Sequence, residues 1–235
     1  MSVEFDFSEQ VVLVTGVSGA LGSAVAAGFV DAGATVCGVD VRAPDAEDAL
    51  LDPGLVDSYE ADLTDESSVE EAVAAIVDEH GRLDALCNIA GTWKGGSPLD
   101  ETDAGQFDLL MNVNLKTMFL ASKHAIPHLR ETGGSIVSVS ARSSLEGGEG
   151  DGIYRASKAG VRLLTETIAE ENRGTVRANA VMPSVIDTPM NREMMSSSDF
   201  SKWVKPEEIA KVAMFLCSDA ASVTSGAAVP VYGEA

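Results

Sequence analysis

Short apolar runs alternate along the chain with longer stretches in which apolar residues recur every three or four positions. An unbroken apolar run bounded by turn residues is typical of a β-strand buried on both faces, and the longer spacing is typical of an amphipathic helix. The pattern predicts strands at Val11–Thr15, Ala34–Val39, Val56–Ala61, Leu83–Ile89, Gly134–Ser140, Val176–Val181 and Ala227–Val231.

Helix-length segments separate these strands. One helix follows the cap signal Thr64-Asp65, where Val69, Val73 and Ile76 recur at helical spacing. The other helices are predicted at Leu21–Ala32, Gln106–Arg130, Tyr154–Glu171 and Pro206–Ser218. Strands that are apolar throughout and alternate with helices predict a parallel sheet with helices on both faces. Because no linker or repeat divides the chain, residues 1–235 are predicted to form a single α/β domain, a doubly wound sheet of Rossmann type.

The charge excludes one class of partner. The chain has 37 acidic and 16 basic side chains, a formal net charge of −21. Such a surface repels phosphate backbones, so nucleic acid is excluded as a partner. The acidic residues are spread along the chain, which favours a self-repelling globular surface suited to high salt. The sequence therefore predicts a halophilic protein, with an ordinary acidic cytoplasmic protein as the alternative.

Other features of the composition bear on location and metals. No apolar run approaches the roughly 20 residues of a membrane span, and Met1–Gln10 lacks the basic residues of a secretory signal. We therefore predict a cytoplasmic protein without a membrane partner. His124 and His128 lie four residues apart but have no third ligand spaced nearby, so no metal site is predicted. Three scattered cysteines are predicted to be reduced thiols: Cys37, Cys87 and Cys217.

A glycine-rich turn follows the first predicted strand. Glycine permits a tight turn and lets backbone N–H groups approach a phosphate at the start of the next helix. Asp40 ends the second strand, where a carboxylate accepts hydrogen bonds from an adenosine ribose and repels the 2′-phosphate of NADP. This predicts NAD as the cofactor; Arg42 could hold such a phosphate, which keeps NADP as the less favoured choice. The turn residues expected at the dinucleotide are Gly16, Ser18, Gly19, Ala20, Leu21 and Gly22.

Two further strand ends are expected at the same edge of the sheet. Asp62 and Leu63 follow the third strand and could meet the adenine; alternatively, Asp62 is only a cap for the next helix. Asn88, Ala90 and Gly91 end the fourth strand. Small residues there leave room for a cofactor, and an Asn can tie neighbouring strand ends together.

Tyr154 and Lys158 are the strongest chemical signal. Side chains four residues apart on a helix share one face. A phenol with a pKa near 10 is a poor proton donor or acceptor at neutral pH unless a cation stabilises its phenolate. Lys158 supplies such a cation one helical turn away. The pair therefore predicts acid/base chemistry.

Five motifs follow one another along the chain: the Thr15–Gly22 turn, Asn88–Gly91, Asn114, Tyr154 with Lys158, and Pro183–Thr188. Together they resemble the short-chain dehydrogenases/reductases over essentially the whole chain. The resemblance implies hydride transfer between a nicotinamide and the carbonyl or alcohol group of a small molecule, with Tyr154 as acid/base. It also implies that Lys158 lowers the pKa of Tyr154 and holds the nicotinamide ribose, and that Asn114 anchors a water in a proton relay. The residues that would border the carboxamide are Pro183, Ile186 and Thr188.

One position departs from the family pattern. The family's catalytic serine stands thirteen residues before the tyrosine, where this chain has Ala141. Ser140, Ser143 and Ser144 are near, and Ser140 is the candidate replacement. Side chains alternate along a strand, so Ser140 is expected on the opposite sheet face unless a bulge turns one of these serines inward. Otherwise the substrate oxygen lacks a donor that is typically worth about 3–4 kcal/mol.

A narrower resemblance bears on the same position. Gly91–Gly96, Ser140–Arg142, Asp187–Arg192 and Ser198–Trp203 look like quinonoid dihydropteridine reductase, a short-chain member that uses NADH and also has an alanine there. An electron-poor quinonoid ring could dispense with the serine, although Asn114 follows the general family instead. The sequence also leaves open a non-catalytic dinucleotide sensor, and epimerase or dehydratase chemistry on the same scaffold.

Assembly and substrate binding complete the expectations. The helices Gln106–Arg130 and Tyr154–Glu171 carry more apolar residues than one buried face needs, which predicts a homodimer or homotetramer. The apolar residues that indicate this are Met118, Phe119, Ala125, Val161 and Leu164. A second apolar group follows Thr188 and is expected to form a lid over the substrate, or else a small satellite core: Met190, Met194, Met195, Phe200 and Trp203.

Overall fold

The computed structural model describes residues 5–41 and 51–234. All the strands named here are parallel and join one seven-stranded sheet in the order β3-β2-β1-β4-β5-β6-β7. They begin and end within two residues of the predicted bounds. The strands are β1 (Val11–Thr15), β2 (Thr35–Asp40), β3 (Asp57–Glu60), β4 (Ala85–Asn88), β5 (Ser135–Val139), β6 (Arg177–Pro183) and β7 (Ala228–Val231).

Helices connect the strands, and in the described ranges none is long and apolar enough to cross a membrane. Asp65 caps the second of them by accepting a hydrogen bond from the Ser68 amide at 3.0 Å, as the cap signal predicts. The helices are α1 (Ala20–Asp31), α2 (Glu66–His80), α3 (Ala104–Leu110), α4 (Thr117–Thr132), α5 (Gly152–Glu171), α6 (Pro189–Met194) and α7 (Pro206–Cys217).

The sheet separates two apolar cores, which confirms the predicted doubly wound α/β fold with helices on both faces. Strand β1 is buried along its whole length, with alternate residues such as Leu13 and Val14 on opposite faces. Helices α2, α4 and α5 cover one face, and α1 and α7 cover the other. The strand order reverses between β1 and β4, so the connections diverge there and leave a crevice at the carboxyl ends of the strands.

The segment predicted as one helix, Gln106–Arg130, is interrupted. Between α3 and α4 the chain forms a π-helical turn at Met111–Lys116. Such a turn inserts an extra residue into the helical ladder and often marks a functional site. Here it carries Asn114, whose side chain is completely buried. The interruption is therefore tied to the placement of that amide.

Most of the apolar residues expected on an oligomer surface belong to the core. Met118, Ala125 and Val161 are buried against the sheet, and Leu164 is half-buried against the same core. That part of the prediction was wrong, because helical spacing alone does not show which stripe faces the sheet. Phe119 is exposed as predicted, at 47%. The other exposed apolar residues of these helices are Phe107, Leu109 and Leu163.

The segment after β6 has features of both structures expected for it, the satellite core and the lid. Trp203 is buried, and its ring packs at 4.8 Å from that of Phe200, as in a satellite core. Met190 and Met194 lie on α6 and are exposed, as a lid requires. Phe200 and Trp203 therefore support this segment, and the exposed methionines of α6 are the residues available to cover a substrate.

Candidate active site

The glycine turn between β1 and α1 is built so that larger residues do not fit. Gly16 has a φ of +70°, and a Cβ there would lie 2.8 Å from the Cα of Ala90. A Cβ on Gly22 would lie 2.0 Å from the carbonyl oxygen of Gly16. These clashes would push the turn away from the end of β4. Glycine is therefore required for the tight packing of turn, helix and strand.

The start of α1 and the end of β2 together form a cradle that fits a dinucleotide. Gly19 caps α1 without a side-chain hydrogen bond, and no acidic residue lies in the first turn, so the helix N-terminus suits a pyrophosphate. The carboxylate of Asp40 accepts hydrogen bonds from the amides of Ser18 at 3.1 Å and Val41 at 2.8 Å. The carboxylate is thus fixed beside the turn, where an adenosine ribose would lie. Arg42 lies outside the described residues.

Asp62 and Leu63, which follow β3, make contacts that limit their possible roles. The Asp62 carboxylate accepts hydrogen bonds from the amide and hydroxyl of Thr64 at 2.8 and 2.7 Å, which lowers its pKa. Asp65, not Asp62, caps α2, so the cap alternative for Asp62 was wrong. The side chain of Leu63 is buried in the core, so only its backbone could contact an adenine.

Polar side chains hold the ends of the central strands together. The Thr15 hydroxyl accepts hydrogen bonds from the amides of Ile89 and Ala90 at 3.0 and 3.2 Å, which ties the end of β1 to the end of β4. Asn88 donates from Nδ2 to the hydroxyls of Ser122 and Ser138 at 3.1 and 3.2 Å. The predicted tie by Asn88 is therefore present. Sequence reasoning missed Thr15, although the Thr-Gly pair at the strand end was its signal.

Gly91 lies against both Lys158 and Asn114. A Cβ on Gly91 would be 3.0 Å from the Nζ of Lys158 and 3.1 Å from the Oδ1 of Asn114. The Lys158 ammonium donates to the carbonyl of Val139 at 2.9 Å. Its burial lowers the pKa of Lys158 to about 8. Residues from β5, α5, the π-helical turn and the segment after β4 thus meet at one point.

Asn114 joins the π-helical turn to α5. Its Oδ1 accepts a hydrogen bond from the Thr92 amide at 2.7 Å, and its Nδ2 donates to the Ser157 hydroxyl at 3.0 Å. Ser157 in turn donates to the carbonyl of Tyr154 at 2.7 Å. The chain of contacts fixes the helix backbone beside Tyr154. Ser157 lies inside the Tyr-Lys motif, but nothing in its spacing predicted this contact.

The pKa of Tyr154 departs from the expectation. Burial, with a smaller effect from the Asp151 carboxylate, raises the pKa of Tyr154 to about 12. The Lys158 ammonium donates to the Val139 carbonyl, and burial outweighs any lowering of the Tyr154 pKa by this cation. Tyr154 therefore holds its proton at neutral pH in this arrangement.

The serines near Ala141 make internal contacts. Ser140 is buried, and its hydroxyl donates to the carbonyl of Lys158 at 2.8 Å and lies 3.1 Å from the Ser144 hydroxyl. With its hydrogen donated to the Lys158 carbonyl, Ser140 is poorly placed to donate to a substrate, and the alternation argument pointed the same way. Ser144 is also buried; besides its contact with the Ser140 hydroxyl, it reaches the sulfur of Met182 at 3.9 Å, a weak acceptor.

The residues expected near the carboxamide follow the end of β6. Pro183 ends the strand and is buried. Ile186 forms an isolated parallel bridge with Val204, which ties the segment to the chain just before α7. The Thr188 hydroxyl accepts from the Asn191 amide at 3.2 Å and caps α6. These contacts position the chain between β6 and the exposed methionines of α6.

Comparisons with known proteins identify relatives of this chain. A family model described as Enoyl-(Acyl carrier protein) reductase matches residues 16–233. The chain is 34% identical to the 3-oxoacyl-[acyl-carrier-protein] reductase FabG of Thermotoga maritima, over 95% of this chain and 96% of that protein. It is 35% identical to meso-2,3-butanediol dehydrogenase of Serratia marcescens, over 97% of this chain and 95% of that protein.

A solved structure extends the comparison to the fold. A short-chain type dehydrogenase/reductase from Mycobacterium ulcerans superposes with a TM-score of 0.89 at 29% identity, over 98% of this chain and 90% of the other. With the sequence matches, this shows that the chain belongs to the short-chain dehydrogenase/reductase family. It is therefore an oxidoreductase of a family that uses the nicotinamide cofactors NAD or NADP.

Proposed function

We propose that this protein transfers a hydride between NAD(H) and the carbonyl or alcohol carbon of a small molecule, with Tyr154 as the acid/base. The observation that carries the proposal is the meeting of Gly91, Asn114 and Lys158 one helical turn from Tyr154, at the carboxyl ends of the strands. The bound nicotinamide supplies or accepts the hydride. Every other part of the reaction falls to side chains of this chain.

The protonation states of the pair suit the reduction of a carbonyl. With its pKa raised to about 12, the Tyr154 hydroxyl carries a proton at neutral pH and can donate it to a substrate oxygen. Lys158, with a pKa of about 8, is mostly charged at neutral pH and can stabilise the tyrosinate left behind. In the oxidation direction the same tyrosinate accepts the alcohol proton. Asn114 would position the relay through its contacts with Thr92 and Ser157.

The preference for NAD over NADP rests on Asp40. Its carboxylate is fixed by the Ser18 and Val41 amides beside the phosphate turn, so a 2′-phosphate would bring like charges together. Asp40→Ala should weaken NADH binding and improve NADPH binding, measured as dissociation constants by fluorescence titration. Asp31→Ala, which removes an exposed carboxylate at the far end of α1, is the matched control. A parent enzyme that prefers NADPH would contradict this reading of Asp40.

A second candidate is reduction of a quinonoid dihydropteridine. Ala141 favours it, because a ring that is already electron-poor can accept a hydride without the missing serine donor. Purified enzyme in molar salt, assayed by NADH absorbance against pterins, sugars, acyl ketones and simple alcohols, distinguishes the two candidates. Tight cofactor binding with no turnover of any class would favour the non-catalytic dinucleotide sensor instead.

We also propose a homodimer or homotetramer formed through α4 and α5. Exposed apolar residues on and next to these helices support this proposal. The residues that helical spacing alone had indicated are mostly buried in the core and do not. Phe119 and Leu163 are 47% and 53% exposed. Apolar side chains of this size usually meet another surface when they cluster. A partner drawn from identical chains satisfies two-fold symmetry.

A further inference from the structure

We propose a zinc-type metal site formed by Cys37, Asp57 and His80, at the amino-terminal edge of the sheet. It uses none of the residues assigned to the cofactor or the substrate. The cofactor crevice lies at the carboxyl ends of the strands, whereas this cluster lies nearer their amino-terminal ends, where Asp57 begins β3. Its metal would therefore serve structure and not hydride transfer.

The sheet register brings the first two ligands together. Cys37 on β2 is the direct partner of Asp57 on β3, so their side chains leave the sheet on the same face. This is the face that α2 covers. Helix α2 runs antiparallel to the strands, so its last turn lies above their beginnings. That turn ends at His80, which completes the set.

The spacing of the ligand atoms suits one ion. The Cys37 sulfur, an Asp57 oxygen and a His80 nitrogen all lie within 4.8 Å of one another. The Nε2 of His80 is 3.6 Å from the Oδ2 of Asp57. Tetrahedral zinc with bonds of about 2.0–2.3 Å keeps its ligands roughly 3.3–3.8 Å apart. The His80 nitrogen and the Asp57 oxygen already have this separation, and the Cys37 sulfur needs to move by about 1 Å at most.

The chemistry of the ligands selects the class of metal. A thiolate and an imidazole favour zinc and similar transition metals over magnesium or calcium, which prefer oxygen ligands. The Tyr59 hydroxyl donates to Glu79 at 2.7 Å and lies 3.1 Å from the Nε2 of His80, a contact that a metal bound at Nε2 would replace. The Glu79 and Asp57 carboxylates make the local field negative and attract a cation.

Metal binding must release a proton. The Cys37 thiol is buried beside Asp57 and Glu79, and burial first, then these charges, raise its pKa to about 12. The thiol therefore binds as thiol plus M²⁺, giving a thiolate–metal bond and one H⁺, and a water can fill the fourth position.

The test uses the full chain without a histidine tag, freed of metal by a chelator. Co²⁺ is added and the sulfur-to-cobalt charge-transfer band is followed in the near ultraviolet; Zn²⁺ affinity is then measured by competition with a chromophoric chelator. Variants are Cys37→Ser, His80→Gln and Asp57→Asn. The matched controls are Cys217→Ser and His128→Gln, which change the same residue types elsewhere.

We expect one equivalent of Co²⁺ to give the band and Zn²⁺ to displace it. Cys37→Ser should abolish the band, and His80→Gln should weaken Zn²⁺ binding at least tenfold, with both controls unchanged. His80 is at a helix end, so its variant keeps the test valid if the buried Cys37→Ser fails to fold. A parent protein without the band, or a band and affinity that survive His80→Gln, would overturn the proposal.

Discussion

The ammonium of Lys158 donates a 2.9 Å hydrogen bond to the backbone carbonyl of Val139, the last residue of β5. A charged side chain is thus held at the end of a buried strand by a neutral acceptor. The desolvation that results lowers the pKa of Lys158 to about 8. The cost of this arrangement to the fold can be measured.

Stability should depend on pH through Lys158. Between about pH 8 and 10 the unfolded chain keeps the lysine proton while the folded chain loses it, so the free energy of unfolding rises with pH. Relative to Lys158→Met, the parent should gain about 2 kcal/mol from pH 8 to 10. Urea denaturation of both proteins across this range measures the difference. Equal pH dependence in the two proteins would contradict the buried charge.

Tyr154 contributes to the pH dependence of stability with the opposite sign. Its pKa is raised to about 12, so its stabilising contribution is complete below pH 10 and is lost as the pH rises toward 12. Tyr154 is present in both the parent and the Lys158→Met protein. Its effect therefore cancels in the comparison.

Gly91→Ala should reduce turnover without unfolding the protein. The added methyl would press on the Lys158 ammonium at 3.0 Å and the Asn114 amide at 3.1 Å, and both would have to shift. Small displacements of catalytic groups can cost up to about 10²-fold, so we expect a loss of about tenfold or more in kcat. Gly147→Ala, where a Cβ meets nothing within 4 Å, is the control and should be close to the parent.

Ala141→Ser should discriminate between the candidate substrates. If the enzyme acts on carbonyl groups, the new hydroxyl restores the family's donor, and kcat should rise by about tenfold or more. With a quinonoid acceptor, little change is expected. Steady-state rates for both substrate classes measure this. No gain with any carbonyl substrate would show that the position does not face the substrate oxygen.

Assembly should depend on salt. With a net charge of −21 per chain, association in dilute buffer concentrates like charges, and 1 M salt shortens their range to about 3 Å. We expect an oligomer in molar salt that dissociates and loses activity as the salt is removed. Sedimentation velocity across a salt series measures the state of association. A fully active monomer at every salt concentration would contradict both the oligomer and the halophilic character.

The fold was predictable because the central strands, such as β1 and β5, are buried on both faces and the turn after β1 is marked by glycine. The π-helical turn at Met111–Lys116 was not, since the Asn114 amide is fixed by Thr92 and Ser157, which are distant in sequence. The buried stripe of α4, which includes Met118, could not be distinguished from its exposed stripe either, because helical spacing does not show which side faces the sheet.

The electrostatics of the site could not be predicted from the sequence either. The Tyr-Lys spacing places both side chains on one helix face, but the pKa of each depends on burial and on partners from other elements. Val139 is the partner of Lys158, and Asp151 acts on Tyr154. The candidate proton donor could be chosen from the motif, whereas its protonation state could not.

The most direct test of the account is the rate of Tyr154→Phe. The ring can pack as before, but the proton that Tyr154 would exchange with the substrate is gone. We expect kcat to fall by about 10²–10⁴-fold, while the dissociation constant for NADH, measured on the same preparation, stays within about threefold. Turnover within about threefold of the parent would remove Tyr154 from the mechanism.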